Sequence, residues 1–167
     1  MNNNVSIILP ERLSRKLREK AEESDSLPEE LAIEILFKGL GEESDPEELA
    51  EHYQTLSEKY LAEAKEFLGK GDLVQASEKL WGAAALAVKT AAARRGLKLE
   101  RHGSLWGFVD TLVKEGRDRD IVTFFGVANA LHRNFYENEM PKEIVEISAE
   151  EIEKLIAKLR EISEKRP

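Results

Sequence analysis

No cysteine occurs among the 167 residues, which excludes a disulfide-stapled scaffold and any thiolate-ligated zinc site, and fits a reducing compartment. Histidine is scarce as well. His52, His102 and His132 stand far apart, so no metal centre and no metal cofactor are expected. Aromatic residues make up 7% of the chain, and no apolar run approaches the ~20 residues of a membrane-spanning helix. The longest weakly polar run, Trp81 to Val88, is mostly alanine and glycine. Met1-Asn2-Asn3-Asn4-Val5 has neither the charged start nor the apolar run of a signal peptide, so a cytoplasmic protein with no membrane partner is the expectation. A basic excess is missing too. The net charge is -8 and the pI about 5.1, which argues against non-specific binding to nucleic acid.

What the chain has in abundance is charge and helix punctuation. Charged residues reach 35%, above the roughly 25% of an ordinary globular domain, while hydrophobic residues at 41% leave enough for a core. Near the start, Val5, Ile7 and Leu9 alternate with Ser6 and Ile8, the period-two signal of a short strand. Pro10 stops it and suits the first turn of a helix through Leu13 and Leu17 to about Glu23. Ser26 and Glu29 have capping-box spacing ahead of a second helix, which carries Leu31, Ile35 and Leu36 and closes at Gly39-Leu40-Gly41. Residues 1–42 are thus expected to form a strand-helix-helix arm.

From residue 45 to 167 the pattern is that of an all-α, antiparallel up-and-down bundle. Asp45 caps a long helix with Pro46 in its first turn, and Leu49, Tyr53, Leu56, Tyr60, Ala64 and Phe67 form one apolar stripe. Gly69-Lys70-Gly71 ends it and Asp72 caps the next, which runs to Arg94-Arg95 and stops at Gly96. Between Gly82 and Ala93 nearly every side chain is small, so neighbouring backbones can approach and this helix should be central. Gly82 costs about 1 kcal/mol relative to alanine in a helix interior and is read as a close-contact point. Two further helices carry Leu105, Phe108, Val109 and Leu112, then Ile121, Phe124, Phe125, Ala128, Leu131 and Phe135. Met140-Pro141 interrupts, and Ser148-Ala149-Glu150-Glu151 reads as the capping box of a last helix.

A resemblance rests on three segments. Gly71 through Lys89, then Arg94-Arg95-Gly96 with His102-Gly103-Ser104-Leu105, then Ala130 through Asn138 closely resemble the archaeal PaREP family. That family in turn resembles the HEPN superfamily of helical bundles, whose second helix follows the same glycine-aspartate turn. The likeness covers roughly residues 45 to 163. It implies a bundle that commonly dimerises, with a nucleotide or RNA as ligand. Many HEPN proteins are ribonucleases in which an arginine precedes a histidine near the start of a late helix, the cation stabilising charge at phosphorus and the imidazole moving the 2'-hydroxyl proton. Here His132 precedes Arg133 and no histidine follows. Arg95 and His102 stand in the right order, but Gly96 breaks the helix between them. No catalytic residue is assigned.

Two groups of residues remain as functional candidates. The first is the polar end of an apolar helix, His132, Arg133, Asn134, Tyr136 and Asn138, a candidate ligand or phosphate site. His132, Tyr136 and Glu139 share a face by helical spacing; the alternative is a hydrogen-bonded cluster that caps the helix and fixes the loop before Pro141. The second is the arm, in which Val5 to Leu13 continuing to Leu31 looks like a ribbon-helix-helix module. In that family two strands pair across a dimer and outward side chains read the major groove. Val5, Ile7 and Leu9 would face inward and dimerise, leaving Asn4, Ser6 and Ile8 outward. The absence of any basic residue before Arg12, and the glutamates among Arg12, Arg15, Lys16, Arg18 and Lys20, favour dimerisation over DNA binding. The expected protein is a non-catalytic homodimeric binding or regulatory module, with an RNA-cleaving toxin and a DNA-binding repressor or antitoxin as its rivals.

Overall fold

The computed structural model describes residues 3–99 and 102–165, with backbone alone at 102 and 103. Every regular element among them is helical: α1 (Glu11–Glu23), α2 (Pro28–Leu40), α3 (Pro46–Lys70), α4 (Leu73–Ala93), α5 (His102–Gly116), α6 (Asp120–Glu137) and α7 (Lys142–Glu164). The chain divides into two compact units, Met1–Glu43 and Ser44–Pro167.

In the first unit the strand expected over Val5 to Leu9 does not form. A strand exists through the ladder it shares with a partner, and among the described residues no other strand is present to pair with it. Val5, Ile7 and Ile8 are instead exposed by 84%, 62% and 97%, and Leu9 is half-buried. Pro10 precedes α1 as its cap, with ψ 145°, instead of entering the first turn. The start of α2 also differs from the expected Ser26–Glu29 box. Pro28 forces the residue before it out of the helical region, so Leu27, at φ -90° and ψ 150°, becomes the cap. Its N–H donates to Glu30 Oε1 at 3.1 Å; Ser26 pairs with Ser24. Gly41, left-handed at φ 69°, closes α2 as its place after the last turn requires.

In the second unit α4 packs against α3, α5, α6 and α7, and every residue from Leu80 to Ala93 is buried, Gly82 included. The expectation of a central helix holds, and its cause is the small side chains. Larger groups from the neighbours close over it: Phe125, Leu105, Leu131, Ile152 and Leu155 are all essentially inaccessible. The expected caps at the α3 and α4 starts are present, with Asp45 accepting from the Glu48 N–H at 3.2 Å and Asp72 from the Gln75 N–H at 3.1 Å. The last helix departs from expectation. It begins directly after Pro141, and Ser148 lies buried in its interior. Val145, Ala149, Ile152, Leu155 and Leu159 form one buried stripe, so packing carries the helix through the cap motif.

No helix among the described residues is long and apolar enough to cross a membrane. The crowding around α4 makes a clear expectation. Ala84→Leu, at a fully buried position, should destabilise the fold by about 1–3 kcal/mol in urea denaturation, whereas Ala62→Leu, at an exposed position of α3, should stay within about 0.5 kcal/mol.

Candidate functional site

The apolar face of α6 sets where its polar end falls. Ile121, Phe124, Phe125, Ala128 and Leu131 are buried, and the next position on that face is Asn134, also buried. An asparagine in a core register needs partners for its amide, and α4 supplies one. Asn134 Nδ2 donates to Ser77 Oγ at 2.9 Å, while the Ser77 hydroxyl donates to the Leu73 carbonyl at 2.7 Å. Asn134 Oδ1 accepts from the N–H groups of Glu139 and Met140, both at 2.9 Å. One side chain therefore joins α6 to α4 and fixes the loop that precedes Pro141.

His132 sits beside this lock. Its Nδ1 lies 3.2 Å from Glu78 Oε2, an interaction in which the ring nitrogen donates to the carboxylate. The imidazole stacks on Trp81, centroids 4.8 Å apart and planes at 29°, and meets the edge of Tyr136 at 5.6 Å. Arg133, one step along the helix, points into solvent and pairs with Glu137 Oε1 at 3.4 Å. Tyr136 is 62% exposed. Asn138 is exposed too and takes the left-handed conformation, φ 50°, that ends α6.

The structure thus separates the sequence-derived candidates. His132 and Asn134 turn toward α4, while Arg133, Tyr136 and Asn138 turn outward. His132 and Tyr136 do touch, but Glu139 lies beyond the end of α6 and shares no helical face with them. Sequence reading missed Ser77 and Glu78, the partners that give the inward pair its role. Their only signal was polarity at the start of a helix whose second half is mostly small and apolar.

The other histidines are elsewhere. The side chain of His102 lies outside the described residues. His52 is half-buried, and its Nε2 is enclosed with no hydrogen-bond partner among the described residues. That burial holds its pKa below the ordinary 6.5. Arg95, the other half of the arginine–histidine pair considered above, has its guanidinium on Glu115 at 3.0 Å and over the Phe108 ring.

Residues 52–156 match the profile of the archaeal PaREP1/PaREP8 family. None of the curated proteins matches. Among solved structures, the crystal structure of a protein from Sulfolobus solfataricus is similar, with a TM-score of 0.58 and 28% identity, over 64% of this chain and 95% of that chain. The matched region contains both sides of the Ser77–Asn134 and Glu78–His132 contacts, and the first unit lies outside it.

Two outcomes follow. Asn134→Leu strands Ser77 and two loop N–H groups, and should cost about 2–3 kcal/mol in chemical denaturation. Because the folded-state pKa of His52 is depressed, the unfolded chain takes up a proton at higher pH than the folded one. Its contribution to stability is complete above pH 6.5 and falls as pH drops through that value toward the folded-state pKa. The stability difference between wild type and His52→Leu should therefore shift against wild type between about pH 7.5 and about pH 5.5, measured by urea denaturation at each pH.

Proposed function

The chain belongs to the archaeal PaREP1/PaREP8 family, and from that premise we propose that it is a non-catalytic homodimeric binding or regulatory module whose ligand is a nucleotide or RNA. Residues 45–167 form a HEPN-like bundle in this reading, and residues 1–42 a ribbon-helix-helix-like arm.

The observation that carries the dimer is the poverty of burial in the first unit. Among its described residues only Ala21, Leu27 and Glu30 are buried, while Val5, Ile7, Ile8, Leu13, Ile35, Leu36 and Leu40 are exposed. A unit of this size has too little core to stand by itself and needs covalent, metal or oligomeric support. Cysteine is absent and no metal-holding cluster of side chains occurs among the described residues, so this reading takes association as the support. Pairing Val5, Ile7 and Leu9 with the same segment of a second copy gives both segments the ladder neither has alone. The basic residues of α1 offer less to DNA, since Arg15, Lys16 and Lys20 lie against Glu11, Glu19 and Glu23 of their own helix.

The ligand half rests on the outward residues at the end of α6. An arginine beside a tyrosine ring suits a phosphate and a stacked base, with Asn138 adding a polar edge. The non-catalytic reading is supported by the inward pair, because His132 is engaged by Glu78 and wedged between Trp81 and Tyr136, and Arg133 faces a different way.

Light scattering on the full chain should give twice the monomer mass, reduced to the monomer by Ile7→Lys. A monomeric wild type would sink the dimer. Titration of labelled single-stranded RNA should saturate, and Arg133→Gln with Tyr136→Ala should weaken it by about tenfold or more. Cleavage of that RNA by wild type, lost in His132→Ala, would replace this reading with the ribonuclease.

A further inference from the structure

The solvent side of α6 carries little of the charge found elsewhere on the surface. Charged residues make up 35% of the chain, yet none occurs from Ile121 to Leu131. Gly126 and Ala130 lie half-exposed in the middle of that side, Thr123 is exposed, and Val122 beside them is 39% exposed. Gly126 is the informative position. A glycine inside a helix is less favourable than alanine, and the packing of this chain does not require one, since a Cβ added at Gly126 meets nothing within 4 Å. A missing side chain on an open helix face suits close approach by another backbone. The line through it is regular. Arg119, Thr123, Gly126, Ala130, Arg133 and Glu137 recur at alternate steps of four and three residues, the spacing of a helix–helix seam. Arg119 is exposed and has no ion pair among the described residues. Glu137 meets Arg133 at 3.4 Å in an exposed contact on its own helix, a kind of pair that holds weakly.

We propose that α6 packs against α6 of a second copy, antiparallel, about a two-fold axis level with Ala128. That placement sets Gly126 against the partner's Ala130, Thr123 against the partner's Arg133 and Arg119 against the partner's Glu137, each contact occurring twice. The middle of the seam is small, so the helix axes approach to about 8 Å, the near end of the usual range. The ends are complementary, because the unpaired Arg119 meets a carboxylate held weakly by its own helix. Charge also fixes the register. Centring the pair on Gly126 would oppose Arg119 and Arg133, and a parallel pair would set every charge against itself. In the proposed register Arg133 faces the uncharged Thr123. A single helix pair falls short of the roughly 1,200–2,000 Å² that a stable interface buries. The seam therefore rests on the homodimer read above, as the contact between second units in a dimer that the arm also holds.

Sedimentation of the full chain over a range of concentrations tests this. Gly126→Leu, whose Cβ has open space in the single chain, should raise the dimer dissociation constant by about tenfold or more with helix content unchanged. Arg119→Glu and Glu137→Arg should each raise it by about threefold or more. The double variant exchanges the charges across the seam and should return the constant to within about twofold of wild type. A Gly126→Leu dimer as tight as wild type would overturn the proposal, as would charge variants whose effects simply add. If Ile7→Lys still dissociates the dimer in either case, the arm stands and the seam alone is lost. Dissociation by Gly126→Leu with no effect of Ile7→Lys sustains the seam and removes the arm. A wild type that is monomeric throughout overturns both.

Discussion

Close approach to α4 is the constraint from which the rest of the second unit follows. Four helices share it, and they can do so because its middle is mostly alanine. Such a helix contributes modest apolar area of its own, at ~25 cal/mol per Å². Its value lies in letting the large groups of α5, α6 and α7 meet over it at native packing density. Gly82 shows the balance. It is unfavourable in a helix by about 1 kcal/mol, yet lies within the unbroken buried run from Leu80 to Ala93.

Crowding also dictates the polar chemistry. A polar group on the buried face of α4 must be satisfied by a neighbouring helix or by its own backbone. Ser77 and Glu78 meet α6 through Asn134 and His132, the Ala83 carbonyl accepts from Ser57 of α3, and Thr90 turns back on Leu86. These contacts fix how α3 and α6 are set against α4, which burial of apolar area alone leaves loosely specified. The polar end of α6 therefore has two faces on one turn. Its inward residues set register, and Arg133, Tyr136 and Asn138 face solvent.

The sequence was legible where a local pair of residues decides the outcome. Asp45, Asp72, Gly41 and Gly71 act on backbone groups within a few positions, and each stands where its chemistry predicts. It was misleading where a second influence competes. Ser26 lost its capping role because Pro28 fixes Leu27, and the Ser148 motif was overruled by a stripe reaching back to Val145. The site shows the same division. The cluster at His132 to Asn138 was visible as polarity ending an apolar helix, but its inward roles depend on partners 54 and 57 positions upstream. The Asn134 register could have been read, being three positions beyond Leu131 on a buried face.

The arm extends this argument to contacts outside the chain. Several of its cations lie against carboxylates one turn away, so what it presents is apolar side chains and, before Pro10, backbone N–H and C=O groups without a ladder. A partner that removes Val5 and Ile7 from water while pairing those backbone groups must itself be extended, and a second copy meets both conditions by symmetry. In the proposed dimer, Arg133 and Tyr136 occur twice. A mononucleotide gains nothing from that doubling. A chain of repeating phosphates and bases does, because its second contact becomes intramolecular once the first is made. On the proposed reading, dimerisation through the arm would favour RNA over a free nucleotide at the α6 surface.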